Sequence, residues 1–198
     1  MAVLLRALRG LPEGAVYLAG GVPLLWIVWL ALTGGLGPDP VRELEQQLGL
    51  LGLQVLLAGL CLTPLRWAGL NLIRYRRAFG LIAFAYLTLH LAVWLVLDMG
   101  LRWDAIAADL TRRWYLVIGM AGFALLVPLA ATSNAAALRR LGPALWRRLH
   151  RLAYVAPLLG VWHFVMVGKV WQAEPLIYGA LLLALLLARV WRARRHTR

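Results

Sequence analysis

Apolar residues run along this chain in six blocks, and the charged residues fall in short clusters between them. The blocks cover approximately residues 16–33, 48–65, 78–98, 114–131, 149–168 and 175–191. Each is close to the length of about 17–25 residues that a helix needs to cross a bilayer. A soluble domain of this size needs a polar outer surface, and most of these blocks have none to offer. The pattern therefore predicts an all-α polytopic membrane protein, a six-transmembrane-helix bundle forming one domain over residues 1–198. The first block reads as a retained anchor and not as a signal peptide. Its apolar run is too long for an h-region, and no small-x-small cleavage site follows it. No repeat of fixed period and no low-complexity linker divides the chain.

Composition agrees with this. The chain is 63% apolar with a mean hydropathy of +0.76, outside the soluble range. The single cysteine, Cys61, lies inside an apolar block, so no disulfide forms within the chain. A net charge of +13 on a soluble protein would point to nucleic acid. Here the charge has a sidedness that topology explains better.

Lys and Arg are retained on the cytoplasmic side of a membrane protein. Arg6 and Arg9 precede the first span, Arg66, Arg74, Arg76 and Arg77 follow the second, and Arg139, Arg140, Arg147, Arg148 and Arg151 follow the fourth. The tail adds Arg189, Arg192, Arg194, Arg195 and Arg198. The alternate loops hold only Arg42, Arg102, Arg112, Arg113 and Lys169, a split of 16 against 5. Seven of the eight acidic residues fall on those alternate loops, leaving Glu13 as the exception. Both termini are accordingly expected in the cytoplasm, with anionic membrane lipid as a partner of the basic side and no role for nucleic acid.

An ionisable side chain within a bilayer is costly and marks a candidate site. Of the four histidines, His196 belongs to the tail, His90 to the third span, and His150 and His163 to the start and outer half of the fifth. His90 lies thirteen residues after Arg77, and His163 thirteen after His150. Both spans run outward, so at 1.5 Å per residue each histidine lies about 20 Å beyond its inner reference. Two imidazoles at one depth are what axial ligation of a heme iron needs. The bland reading, an interhelical hydrogen-bond donor, fits a lone membrane histidine better than a depth-matched pair. No acidic or thiol ligand accompanies them within the membrane, which argues against zinc or iron–carboxylate sites. Thirteen residues turn His150 roughly 140° from His163 on an ideal helix. The two share a face only if Pro157 distorts the span. Arg76, Arg77, Arg147, Arg148 and Arg151 are expected to form a cytoplasmic ring suited to a heme propionate, a flavin phosphate, a quinone headgroup or lipid phosphate.

The run Arg76-Arg77-Ala78-Phe79-Gly80-Leu81 with Tyr86 and His90 resembles the third helix of the MsrQ family, the heme-binding membrane subunits of the protein-methionine-sulfoxide reductase system. Three further stretches resemble it: Leu129-Ala130-Ala131-Thr132-Ser133-Asn134, Trp146-Arg147-Arg148-Leu149-His150-Arg151-Leu152-Ala153-Tyr154, and His163 downstream. Together they cover nearly the whole chain. The run from Trp146 to Tyr154 is the most specific of them, and Thr-Ser-Asn alone is weak. Trp114 stands where the family pattern places a proline before Tyr115, a departure expected to alter local geometry and not cofactor binding.

The resemblance implies a ferric-reductase-like transmembrane fold, one or two b hemes, and FMN as an optional second cofactor. It implies a bacterial inner membrane protein. Electrons would pass from the quinone pool or a cytosolic flavin reductase to a periplasmic molybdopterin methionine-sulfoxide reductase that repairs oxidised envelope proteins. The assigned ligands are His90 and His163, with His150 holding a second heme or seating the donor-side cofactor. Two rivals stand beside this reading: a self-sufficient ferric or quinone reductase of the same fold, and a colourless transporter or assembly factor. Methionine repair by this chain itself is not expected, because it has no exposed nucleophile or redox cysteine pair.

Overall fold

The computed structural model describes residues 10–168 and 172–196, apart from the His196 side chain. Arg6, Arg9, Lys169 and Arg198, which the charge argument used, lie outside the described residues. No strand occurs among the described residues. The helices are α1 (Glu13–Thr33), α2 (Pro40–Trp67), α3 (Arg76–Ala92), α4 (Trp103–Arg112), α5 (Trp114–Ala131), α6 (Ala135–Leu149), α7 (Leu152–Val167) and α8 (Ala173–His196). A 3₁₀ turn (Ile73–Tyr75) leads into α3, and a wider π-type turn (Val93–Asp98) carries it onward. Among the described residues five stretches are long and apolar enough to cross a membrane: α1, α2, Ile73–Asp98 around α3, α5 and α8. α7 is apolar too, but only 16 residues long.

The ends of these helices follow local chemistry. Gly34 closes α1 in the left-handed conformation at φ 76°, where a side chain would be strained. Asp39 accepts from the Arg42 N–H at 3.2 Å, and Pro40 occupies the first position of α2. α2 thereby starts eight residues before the apolar block. At 28 residues it exceeds a bilayer core of about 30 Å, which takes roughly 20 residues. The Thr132-Ser133-Asn134 stretch serves three purposes. The Thr132 and Ser133 hydroxyls donate back to the Pro128 and Leu129 carbonyls, both at 2.6 Å, and the Asn134 side chain caps α6 at Ala137 N–H, 2.8 Å.

The chain forms two compact units, divided between Ile106 and Ala107. In the first, α2 packs along α3 and α1 lies against both. Ile27, Leu48 and Tyr86 form a buried cluster there, and the Tyr86 hydroxyl donates to the Gly20 carbonyl at 2.6 Å. In the second, α7 packs between its partners α5 and α8. Large apolar side chains stay exposed on the spanning helices, with Leu18 at 77% and Leu32 at 82%. In lipid that surface costs nothing, since acyl chains are as apolar as leucine.

Two helices lie outside the six apolar blocks. α4 carries Asp104 and Asp109, and Asp109 pairs with Arg113 at 3.5 Å. α6 is interrupted at Gly142, where φ is 73° and ψ is 158°. Its end also changes the placement of His150. The fifth block was expected to begin at 149, but α7 starts at Leu152, and His150 caps α6 in the intervening turn. The 140° rotation between His150 and His163 therefore has no bearing, because the two are not on one helix.

Candidate functional site

His90 sits on α3 and faces α2. Its Nδ1 lies 2.8 Å from the Glu45 carbonyl oxygen. A carbonyl can only accept, so Nδ1 carries the proton and donates, which leaves Nε2 as the ring nitrogen with the lone pair. The ring fits against α2 because residue 49 is glycine: a Cβ there would stand 3.0 Å from His90 Nδ1 and 3.1 Å from its Cε1.

His163, in the second unit, repeats the arrangement. Its Nδ1 donates to the Tyr115 carbonyl at 2.7 Å, and a Cβ at Gly119 would stand 2.8 Å from Nδ1 and 3.0 Å from Cε1. In both units the accepting carbonyl lies four residues before the glycine, one turn along the same helix face. Each glycine is followed three residues on by another in close contact with the histidine's helix: Gly52 against Leu87, and Gly122 against Leu159. The Tyr115 ring adds an aromatic neighbour 5.9 Å from the His163 ring.

This is the setting that metal-ligating histidines have. One ring nitrogen is tied to a carbonyl, which sets both the tautomer and the ring orientation, while the other keeps its lone pair. Among the described residues no group of three or more His, Cys, Asp or Glu could hold a metal ion by itself. A metal on these histidines must bring the rest of its coordination sphere, and a porphyrin supplies four nitrogens. Each imidazole, with its apolar neighbours Leu87 or Leu159 on its own helix, is a donor of the kind heme iron takes.

His150 is held the other way round. Its Nε2 lies 3.0 Å from the Thr132 hydroxyl oxygen. That hydroxyl gives its hydrogen to the Pro128 carbonyl, so it accepts from His150 Nε2–H. Trp146 stacks on the imidazole with ring centroids 3.8 Å apart, and its Nε1–H donates to the Thr132 carbonyl at 2.9 Å. His150, Trp146 and Thr132 thus lock the α6–α7 turn to the end of α5.

The arginines divide between the units. Arg76 and Arg77 open α3 in the first, whereas Arg147, Arg148 and Arg151 surround His150 in sequence in the second. All five are exposed. Trp114 is 72% exposed at the start of α5, directly before the residue whose carbonyl holds His163. Sequence reasoning passed over Gly49, Gly119 and the Glu45 and Tyr115 carbonyls. The readable signal was a glycine pair three residues apart inside each of two apolar helices, 49/52 and 119/122.

With this geometry in view, comparison with known proteins is informative. The model of the family described as "Ferric reductase like transmembrane component" matches residues 46–161. The chain is 48% identical over 184 residues to the protein-methionine-sulfoxide reductase heme-binding subunit MsrQ of Brucella ovis, covering 92% of this chain and 83% of that one. The MsrQ proteins of Brucella canis and Brucella melitensis biotype 2 match with the same identity and coverage. No solved structure matches.

Proposed function

The chain belongs to the MsrQ family of protein-methionine-sulfoxide reductase heme-binding subunits, and from that premise we propose that it binds heme b through His90 and His163 and carries electrons to a methionine-sulfoxide reductase catalytic subunit. The observation that carries the ligand assignment is the matched pair of Nδ1–H···O=C bonds, which leaves Nε2 as the basic nitrogen on both rings. The Gly49 and Gly119 surfaces hold each ring against its neighbouring helix. Heme bound there supplies a one-electron Fe(III)/Fe(II) couple.

In this reading the chain crosses a bacterial inner membrane six times, α7 being its shortest span, with both termini in the cytoplasm. Electrons arrive from quinone or from a cytosolic flavin reductase and leave to a periplasmic molybdopterin partner. His150 acts as a positioning residue on the donor side and not as an iron ligand, because its Nε2–H is given to Thr132 and one ring face is covered by Trp146. Arg76 and Arg77 in the first unit, and Arg147, Arg148 and Arg151 in the second, supply the cationic edges at which anionic groups are held on that side. FMN is the second cofactor such an edge admits, through its phosphate.

An absorption spectrum before and after dithionite, with pyridine hemochrome and flavin assays, tests the reading. A b-type α-band at one heme per chain is expected, as is electron transfer to the soluble catalytic subunit in preference to ferric chelates. A colourless protein from heme-replete cells would instead identify a transporter or assembly factor.

A further inference from the structure

α6 is unlike the other described helices. It has no buried residue. Two similar segments lie on either side of its break at Gly142: Leu138-Arg139-Arg140-Leu141 and Trp146-Arg147-Arg148-Leu149. All four arginines are exposed, and none of them takes part in the Arg113–Asp109 salt bridge. Beside them Leu138 is 39% and Leu145 53% exposed. The helix therefore presents cations without counter-charge together with aliphatic side chains that the protein does not cover. A soluble acidic partner would meet the first need and leave the second. The surface of an anionic bilayer meets both, with headgroup phosphates at the guanidinium groups and acyl chains at the leucines.

We propose that α6 is a two-armed site for acidic phospholipid, each Arg-Arg pair holding a phosphodiester and Leu138 and Leu145 dipping below the headgroups. This puts a lipid phosphate in place of the flavin phosphate at Arg147 and Arg148, leaves Arg76, Arg77 and Arg151 to the cofactor, and rests on that reading's membrane topology. Arg139 and Arg140 add a second arm that the cofactor assignment leaves unused. The break at Gly142 separates the arms: at φ 73° only glycine sits without strain, and Pro143 follows to start the second arm. That arm is fixed in place. The hydrogen bond from Trp146 to the Thr132 carbonyl and its stacking on His150 tie it to the end of α5, so a lipid bound at Arg147 and Arg148 sits on the same lock that positions His150.

The test is native mass spectrometry on the full-length protein, delipidated in detergent and titrated with cardiolipin, phosphatidylglycerol or phosphatidylcholine. Selective retention of acidic lipid is expected, with one cardiolipin, or else two phosphatidylglycerols, filling both arms. Arg139→Gln/Arg140→Gln should weaken acidic-lipid binding by about thirty-fold, the effect of two arginines near an anionic surface, while Arg139→Lys/Arg140→Lys should keep most of it. Equal binding of phosphatidylcholine by the wild type, or wild-type affinity in the glutamine variant, would overturn the proposal. Heme is assayed on the same samples. A heme-free wild type that still selects acidic lipid would refute the proposed function and leave this site standing, whereas a hemoprotein without lipid selectivity would do the reverse.

Discussion

His90 and His163 on one hand, and His150 on the other, show how one residue type is prepared for two tasks. The first two rings give Nδ1–H to a backbone carbonyl, at 2.8 and 2.7 Å, and lie against a glycine. The third gives Nε2–H to a threonine hydroxyl and lies against a tryptophan. A carbonyl one turn before a glycine holds an imidazole and fixes its tautomer without adding bulk beside it. A hydroxyl and an indole clamp the ring within protein. Which nitrogen carries the proton, more than depth in the membrane, separates the proposed ligands from the positioning residue.

The largest effects should come from the ligands themselves. His90→Ala and His163→Ala are each expected to lower heme content well beyond ten-fold, since even the outer partners of metal-bound histidines are worth about 10–100-fold. His150→Ala should keep most of the heme; hemochrome assays on the three variants make the comparison. Equal loss in all three would erase the distinction.

An intermediate effect is expected at the glycines. Gly119→Ala places a methyl 2.8 Å from His163 Nδ1, an atom already anchored by its hydrogen bond, so the ring must move. Overpacking of this kind costs about 1–3 kcal/mol and should appear as partial heme loss with a shifted α-band. Gly49→Ala, at 3.0 Å from His90 Nδ1, should follow in the same direction with a smaller change. The smallest effect is predicted for Thr132→Val, which removes the acceptor of His150. About 0.5–1.5 kcal/mol of thermal stability should go, with heme content unaltered in the same preparation.

The spanning helices were legible because immersion in lipid writes itself into long apolar blocks. Their ends were less so. The α2 block reads from 48, but the helix runs from Pro40 through Glu43, Glu45, Gln46 and Gln47, since hydropathy reports what lies in hydrocarbon and not where backbone hydrogen bonding begins. Asp39-Pro40 was the sequence signal for that start. α6 escaped because it is short, surface-lying and broken by Gly142-Pro143. Its break also carries His150 off the fifth span into a turn. At the site, His90 and His163 could be picked out as histidines inside apolar blocks, but the count that put them at one depth took His150 as a helical reference, and His150 lies in the turn before α7. The partners that set their tautomers could not be picked out, because they are main-chain carbonyls of Glu45 and Tyr115, and a carbonyl looks the same whatever residue carries it.

The most direct test of the central claim is electron paramagnetic resonance of the ferric protein, wild type beside His163→Ala and His150→Ala. Ligation by His90 and His163 predicts a low-spin, bis-imidazole signal in the wild type that persists in His150→Ala and is absent from His163→Ala. A low-spin signal lost with His150 and retained without His163 would contradict it.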